Sequence, residues 1–222
     1  YFSEESLIKY RLKIEIEYFI ALCKIPLPEL KNYNSKLFKN LRNIYINFSK
    51  NDAIKIKEIE KKTNHDVKAI EYYIKEKFND LDILKYNEFV HFALTSQDIN
   101  NTAIPLSLKE ALNDIYLIEL NKVIEILKKL VNKFNDITIL ARTHGQPASP
   151  TTMGKELDVF NQRLIIQRDQ LLKIPNSAKF SGATGNFNAH NVAYPKINWK
   201  KFAENFVTKN LGLNFSFPTT QI

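Results

Sequence analysis

The sequence has little of what would form covalent or metal-bound cross-links. Its 222 residues include one cysteine, Cys23, so an intramolecular disulfide cannot form. The four histidines are dispersed and show no short His or Cys spacing, so no metal site is predicted. No run of about 18 apolar residues is present, and no charged-then-apolar leader opens the chain. These absences favour a cytoplasmic protein without a membrane partner, in which Cys23 is a small core residue.

Acidic residues are fewer than basic ones, and the chain carries a formal net charge of +8. Such a balance can indicate binding to nucleic acid. Most of the basic residues, however, are lysines that are interspersed with acidic residues, as in Lys57–Lys62. This patterning is typical of solvated helix faces and disfavours a nucleic acid as the partner. A basic pocket for a small polyanion is compatible with both interpretations.

Glycine is also scarce, with five residues, and apolar residues recur at helical spacing over most of the chain. The sequence therefore predicts a mainly α fold. The first helix should begin at Ser3 and end before Pro26, because serine caps helix starts and proline interrupts helices. Further short helices are predicted at Glu29–Phe48, at Ala53–Lys62 and from Val67 onward.

The longest helical pattern runs from about Gln97 to Phe134 and exceeds an ordinary globular helix. A second long helix is predicted from about Thr152 to Ile174, and the short polar segment Ala141–Pro150 connects the two. Two long helices joined by a connector that is rich in polar side chains indicate a helical bundle whose ends carry the functional sites. The region after Asn176 is predicted to form loops, a short hairpin and one helix around Trp199–Asn210.

A domain boundary is predicted near Thr95, where short helices give way to long ones. Residues 1–95 would form an N-terminal helical domain that lacks its start, and residues 96–222 would form the truncated first part of a central helical-bundle domain. The chain begins with Tyr1 rather than Met and ends at Gln221-Ile222 directly after Pro-Thr-Thr. The sequence is therefore interpreted as a segment of a longer protein.

Three segments place a histidine beside hydroxyl or amide groups at a predicted helix start. They are Thr63–Asp66 around His65, His91–Asp98, and Arg142–Pro147 around His144. Helix starts present free N–H groups and the positive end of the helix dipole, which makes them good anion sites. Three such starts converging in space would bind a ligand with several negative groups.

Each segment also has a purely structural interpretation. The first two fit ordinary helix caps, and His91, which lies among apolar residues, fits a hydrogen-bonded core histidine. A structural hydrogen bond explains His190 at least as well as a functional role. His144 is the hardest to explain structurally, because a bundle connector rarely needs Arg, Thr, His, Gly and Gln in succession. Histidine also suits proton transfer near neutral pH.

The same segments resemble signatures of the fumarase/aspartase superfamily. His91–Asn101, with its Thr-Ser-x-Asp, is similar to the first signature, and Ala141–Ala148 with Thr151–Glu156 is similar to the second. Other segments resemble the adenylosuccinate lyase branch in particular, and the similarity extends over nearly the whole chain. These segments are Asn64–Ala69, Gly182–His190, Ala193–Pro195 and Thr219–Ile222.

This resemblance implies a homotetramer built on a central bundle of long helices, with each active site assembled from three subunits. The implied reaction is a β-elimination that splits a C–N bond. Adenylosuccinate would give AMP, the succinylated aminoimidazole carboxamide nucleotide of purine synthesis would give its amide, and fumarate would leave in both cases. The resemblance implies no metal and no organic cofactor.

The resemblance also implies roles for individual residues. His144 matches the general acid that protonates the leaving nitrogen. Thr95 and Ser96 match a substrate-contacting pair, and their place at a helix start suits a developing doubly charged carboxylate. The further matching positions at or near the substrate are Asn64, His65, Asp66, His91 and Gln221.

Two elements of the family pattern lie outside this sequence. An Arg-Tyr pair that binds phosphate is expected before Tyr1, and a mobile loop that carries the serine base is expected after Ile222, so the segment alone should be inactive. Alternatives are a sister lyase acting on argininosuccinate or on malate and fumarate, a non-catalytic descendant that keeps the bundle, and a basic nucleic-acid binder. Gly182–His190 disfavours the sister lyase. Retention of His65, His91, Thr95, Ser96 and His144 together disfavours the non-catalytic descendant.

Overall fold

The computed structural model describes residues 1–222, and most of them are helical, so the mainly α prediction is confirmed. The α-helices are α1 Glu4–Leu22, α2 Phe38–Ile46, α3 Lys50–Thr63, α4 Asp66–Asp80, α5 Ser96–Ala111, α6 Leu117–Lys133, α7 Met153–Leu172, α8 Asn188–Ala193 and α9 Trp199–Asn205. The strands are β1 Thr138–Thr143, β2 Gln146–Thr152, β3 Ser177–Ala178 and β4 Asn214–Phe215.

Helix α1 contributes more buried residues to the core than any other helix. Ser3 caps it, because the serine side chain accepts a hydrogen bond from the Ser6 N–H. Every residue from Ile14 to Leu22 is buried, as expected of a helix that is apolar on all sides and lies in a protein interior. The two carboxylates in this stretch, Glu15 and Glu17, therefore require specific partners.

The prediction of one helix over Glu29–Phe48 is wrong in its first half. Short 3₁₀ turns occupy Pro28–Leu30 and Ser35–Leu37, and α2 begins only at Phe38. The Asn34 side chain accepts a hydrogen bond from the backbone N–H two residues later. Asparagine that bonds to its neighbouring backbone in this way favours a turn over a helix.

The long helical pattern over Gln97–Phe134 is confirmed. Helices α5 and α6 cover it, with a π-helical turn at Leu112–Tyr116 between them and Pro105 inside α5. The connector Ala141–Pro150 lies in a β-hairpin of β1 and β2, which the sequence pattern did not predict. The short hairpin predicted after Asn176 is absent from the structure, where β3 and β4 instead pair in parallel.

The chain divides into two compact units. The first unit comprises residues 1–109 and 176–222 and contains most of the buried aromatic residues. The second unit comprises residues 110–175, in which α6 and α7 pack on each other and β1 pairs with β2. The predicted domain boundary at residue 95 stays a prediction. None of the helices is both long and apolar enough to cross a membrane.

Candidate active site

His65 is oriented by the helix that it caps. Its backbone is extended, and its Nδ1 accepts the Lys68 N–H at 3.0 Å, so the imidazole is the N-cap of α4. Because Nδ1 accepts this bond, the proton of the neutral ring is on Nε2. Nε2 lies 3.4 Å from the Ser96 hydroxyl oxygen at the start of α5. The segment Thr63–Asp66 caps a helix as predicted, but the cap is His65, and Thr63 instead ends α3. The cap brings two predicted site residues, His65 and Ser96, together.

Asn64 and Asp66 flank His65 in different surroundings. Asn64 ends α3 in the left-handed conformation, with φ of 50°, and is exposed. Asp66 Oδ1 accepts the Val67 N–H at 2.8 Å, and its Oδ2 pairs with Arg11 Nη2 at 2.8 Å. Burial alone would raise the pKa of the Asp66 carboxyl, but these hydrogen bonds and the Arg11 charge outweigh it and hold that pKa below its usual range.

Arg11 links the start of α4 to α5. Its Nη2 pairs with Asp66, and its Nε donates to Asn100 Oδ1 at 2.8 Å. A guanidinium group presents its N–H donors in fixed directions, so these two bonds constrain the distance between the two helices. The approach of His65 to Ser96 therefore has a second, independent support between the same helices.

An open cavity of about 660 Å³ borders this segment. Its lining combines carboxylates, lysines, an amide and an imidazole, which suits a ligand with several charged groups. The lining residues are Lys57, Glu60, Lys61, Asn64, His65 and Asp66.

The buried Asp98 carboxylate organises the start of α5. Its Oδ2 accepts the Thr95 N–H at 2.9 Å, which closes the turn before Ser96. Its Oδ1 accepts the Ser181 N–H at 2.8 Å and the Lys179 ammonium at 2.6 Å. One carboxylate thus joins two segments that are far apart in sequence, and Thr95 and Ser96 remain partly exposed beside it.

The glycine-rich segment that follows Lys179 packs against the residues that precede Gln221. Ser181 Oγ lies 2.9 Å from Thr219 Oγ1, and a Cβ on Gly185 would overlap the Thr219 carbonyl. Gly185 also has φ of 80°, a conformation that favours glycine. Gln221 itself is exposed. Residues 181–185 therefore connect the start of α5 to the segment that carries Gln221.

His91 lies on an unfavourable stretch of backbone and contacts a buried carboxylate. His91 and Ala93 have φ of 57° and 58°, a left-handed conformation that costs energy in residues other than glycine. The imidazole Nδ1 lies 2.5 Å from Glu15 Oε1, and Nε2 lies 3.9 Å from Glu71 Oε1. The His91 side chain keeps 13% of its surface exposed, so it is neither a fully enclosed core residue nor a free surface residue.

The charges around His91 favour its protonated form. Burial alone would lower the pKa of the imidazole. The Glu15 charge and hydrogen bond, together with the Glu71 and Asp98 carboxylates, outweigh burial and raise the pKa of His91 above its ordinary value.

His190 takes part in a structural hydrogen bond, in agreement with the structural interpretation of this residue. The Tyr18 hydroxyl donates to the Phe92 carbonyl at 2.8 Å, and His190 Nε2 lies 3.2 Å from the same hydroxyl. Since the phenol proton is used on Phe92, Nε2–H donates to the Tyr18 oxygen, and Nδ1 is left as a buried acceptor without a partner. Burial lowers the pKa of His190 to about 4, with Asp98 opposing this shift and Lys179 adding to it.

His144 belongs to the second unit and lies at the tip of the β1–β2 hairpin. His144 and Gly145 form the turn, with φ of 49° and 77°, as in the two-residue turns that suit hairpins. Thr143 pairs with Gln146 across the turn, and Arg142 Nη1 donates to the Gly145 carbonyl at 3.2 Å. The exposed imidazole is therefore carried on a hydrogen-bonded turn.

Sequence reasoning missed the partners that hold the predicted residues. Glu15 gave a signal, because it is a carboxylate between Ile14 and Ile16 in a strongly apolar stretch. Lys179 gave none, since lysine is usually solvated and nothing near it in sequence indicates burial. Asp98 was predicted as a helix cap and as part of the Thr-Ser-x-Asp signature, whereas its bonds to residues 179–182 depend on tertiary structure.

Residues 1–214 match the Lyase family, so the chain belongs to that family. Within it, the chain is similar to adenylosuccinate lyases. It is 53% identical over 217 residues to the adenylosuccinate lyase of Dictyostelium discoideum, a match that covers 93% of this chain and 46% of that protein. It is 46% identical over 223 residues to the adenylosuccinate lyase of Vibrio cholerae serotype O1, covering 100% of this chain and 49% of that protein. The chain thus spans about half the length of these curated relatives.

Solved structures share the mainly α fold of this chain, and together with the family match they confirm the fumarase/aspartase-like fold class. A fumarate lyase from Mesorhizobium sp. BNC1 superposes with a TM-score of 0.77 at 18% identity, covering 98% of this chain and 48% of that one. The β-carboxy-cis,cis-muconate cycloisomerase from Acinetobacter calcoaceticus sp. ADP1 superposes with a TM-score of 0.73 at 20% identity, covering 98% and 48%. At these identities the likeness concerns the fold alone.

Proposed function

We propose that the protein carrying this sequence is an adenylosuccinate lyase, a carbon–nitrogen lyase that converts adenylosuccinate to AMP and fumarate in purine nucleotide biosynthesis. The same elimination would convert the succinylated aminoimidazole carboxamide nucleotide to its amide and fumarate. The observation that carries the proposal is the approach of His65 to Ser96 at two helix starts, in a chain similar to adenylosuccinate lyases. The proposal includes no metal and no organic cofactor.

The proposed reaction breaks one C–H bond and one C–N bond of the succinyl group. Loss of the proton beside a carboxylate places negative charge on that carboxylate. The electron pair then forms the fumarate double bond while the C–N bond breaks, and the leaving nitrogen takes up a proton. The largest available effect is stabilisation of the doubly charged carboxylate by fixed donors, where one well-placed donor contributes about 3 kcal/mol.

In this proposal, Thr95 and Ser96 supply such donors, and His65 lies beside them and orients the Ser96 hydroxyl. Ser96 begins α5, where unpaired N–H groups and the helix dipole favour an anion. The α4 cap directs His65 Nε2–H toward the same hydroxyl, so these groups require little reorganisation when charge develops. The remaining substrate contacts are proposed to come from Asn64, Asp66, His91 and Gln221.

His144 is proposed as the general acid that protonates the leaving nitrogen. Its exposure on a hydrogen-bonded turn supports access to a ligand, and histidine exchanges protons near neutral pH. The base is proposed to be a serine that lies outside residues 1–222. Purified residues 1–222 are therefore expected to be inactive, and turnover of adenylosuccinate by that preparation would contradict this expectation.

The proposal includes a homotetramer with active sites shared between subunits. The support for a homotetramer comes from the second unit, because its helices expose large apolar side chains. Such side chains are commonly buried when subunits associate. These side chains are Ile115, Ile118, Val123, Ile126, Phe160 and Ile166. A cytoplasmic location is also proposed, because the one cysteine, Cys23, is a free thiol, as is usual for proteins of a reducing compartment.

The test is a substrate comparison with the full-length protein. Ultraviolet absorbance would follow cleavage of adenylosuccinate, argininosuccinate and malate under the same conditions. We expect kcat/KM for adenylosuccinate to exceed the others by about 10⁴-fold, the discrimination that a site with buried polar partners can reach. Cleavage of argininosuccinate or malate alone would assign the protein to a sister lyase. No cleavage, with salt-dependent nucleic-acid binding instead, would refute the lyase proposal.

A further inference from the structure

One face of α1 is polar although the helix is buried. Arg11, Glu15 and Tyr18 are spaced at i, i+4 and i+7, so they lie along one side of the helix. Arg11 reaches the segment around His65, and Glu15 and Tyr18 both reach the segment around His91. Arg11 pairs with Asp66, Glu15 contacts His91, and Tyr18 donates to the carbonyl of the residue that follows His91.

Of these three residues, Glu15 is the one whose presence in the core is least explained by the stability of the fold. Its side chain is completely inaccessible to solvent, and a charge in such a place is unfavourable unless it is paired. Oε1 contacts His91 Nδ1 at 2.5 Å, whereas Oε2 is buried without a partner. A hydrophobic side chain at this position would fill the core without that unsatisfied oxygen. The carboxylate therefore points to a role that depends on His91.

The backbone around His91 also needs to be held. His91 and Ala93 both adopt left-handed conformations that such residues rarely keep without outside support. Glu15 fixes the His91 side chain, and Tyr18 fixes the Phe92 carbonyl between the two unfavourable residues. Thr95 follows directly, with its N–H on Asp98. The α1 face thus constrains the chain that enters the start of α5.

We propose that Glu15 is a positioning residue, which holds His91 as an oriented imidazolium so that His91 can attract an anionic group of the substrate. This inference rests on the proposed lyase function. With Nδ1–H donated to Glu15, the second N–H of the cation, on Nε2, is left for a ligand or for the more distant Glu71 at 3.9 Å.

The charged groups around His91 come from three helices. Glu15 is on α1, Glu71 is on α4 and is paired with Lys68, and Asp98 is on α5 and is paired with Lys179. Glu71 and Asp98 therefore share their charge with a lysine, whereas Glu15 has His91 as its only hydrogen-bonded partner. Removal of the Glu15 charge should consequently affect the protonation of His91 more than removal of either other carboxylate.

Glu17 provides a matched control. It is also a buried carboxylate of α1, two residues from Glu15, but it binds Arg42 at 2.7 Å and 3.0 Å and Tyr45 at 2.8 Å. It contacts none of the predicted site residues. Glu17→Gln and Glu15→Gln each remove one buried charge from the same helix, so an effect that comes only from removing a charge from α1 should appear in both.

The experiment measures KM and kcat for adenylosuccinate as a function of pH in the full-length protein and in these two variants. We expect Glu15→Gln to raise KM about tenfold, the loss expected for one charge-assisted contact. Because His91 then loses its proton more easily, the rise of KM with pH should begin at a lower pH in Glu15→Gln. Glu17→Gln should keep the pH profile of the unaltered protein, whatever its effect on thermal stability.

A double substitution separates positioning from packing. In a His91→Asn background, Glu15→Gln should have no further effect on KM, because the residue that it positions is gone. Equal pH profiles for Glu15→Gln and Glu17→Gln, or additive effects in the double variant, would overturn the proposal. If Glu15→Gln fails to fold, the test relies on His91→Asn alone. This variant must raise KM and remove the pH dependence of KM, and an unchanged KM refutes the proposal. Absence of turnover in the unaltered protein would instead refute the lyase function.

Discussion

Among single residues, buried charges should respond most strongly to substitution, because a charge that loses its partner in the interior is costly. The Lys179 side chain is 3% exposed and that of Asp98 is 0% exposed, and they pair at 2.6 Å. Lys179→Met would leave the Asp98 carboxylate with backbone donors alone. We expect a loss of about 3–5 kcal/mol in the free energy of unfolding, measured by urea denaturation.

Lys201→Met is the control for this prediction. It removes a lysine from a pair with Glu204 in which the Lys201 side chain is 62% exposed, so we expect a loss of at most about 1 kcal/mol. Equal losses in the two variants would show that burial of the Asp98 charge is not the cause.

His190 should make stability depend on pH. Its pKa in the folded protein, about 4, lies below that of an unfolded histidine near 6.5, so the unfolded chain binds more protons between these values. The contribution is therefore fully present above about pH 6.5 and is lost as the pH falls toward 4, by up to ~3 kcal/mol. Urea denaturation at several pH values measures it. His190→Gln should show a shallower decline over this window, and an identical decline would contradict the assignment.

At the scale of elements, the sequence predicted the parts of the fold that are determined locally. The Ser3 cap of α1 and the apolar periodicity of α5 and α6 depend on neighbouring residues, and both predictions are confirmed. The hairpin around His144 was not predicted, because its strands contain Pro147 and Pro150 and lack the alternation that marks strands. The parallel pairing of β3 with β4 joins residues that are far apart in sequence, so no local pattern can indicate it.

The pair of helices α6 and α7 depends on one glycine. A Cβ on Gly154 would lie 2.6 Å from the Val131 carbonyl oxygen and 2.7 Å from the Asn135 Cα. Alanine favours helix over glycine by about 1 kcal/mol, but here the overlap is with backbone atoms that cannot rotate away, and overpacking costs about 1–3 kcal/mol. Gly154→Ala should therefore lower the melting temperature, whereas the exposed neighbour Lys155→Ala should leave it nearly unchanged. Equal melting temperatures for the two variants would contradict this close approach.

At the scale of the whole molecule, the candidate site was predicted as a set of residue types and not as a geometry. Helix-start chemistry identified His65, Thr95 and Ser96, and the structure brings His65 and Ser96 within 3.4 Å. The residues that hold them are contributed by other parts of the chain, as Arg11 and Lys179 show. Such long-range partners are determined by tertiary packing, which residue patterns along the sequence do not record.

The proposed role of His144 also belongs to this scale, because the proposed active site would be formed only in the assembled full-length protein. His144 lies on the hairpin of the second unit, whereas His65 and Ser96 belong to the first. The proposed tetramer would cover the apolar faces of α6 and α7, and it would supply the parts of the site that residues 1–222 do not contain.

The most direct test of the proposed function is cleavage of adenylosuccinate by the full-length protein, both unaltered and as His144→Ala. Size-exclusion chromatography would first establish that both proteins form the same oligomer. We expect fast cleavage by the unaltered protein and a kcat lower by about 10²–10⁴-fold in the variant, which is the contribution of a general acid. A variant of unchanged kcat would contradict the role of His144, and an unaltered protein that does not cleave adenylosuccinate would contradict the proposed function.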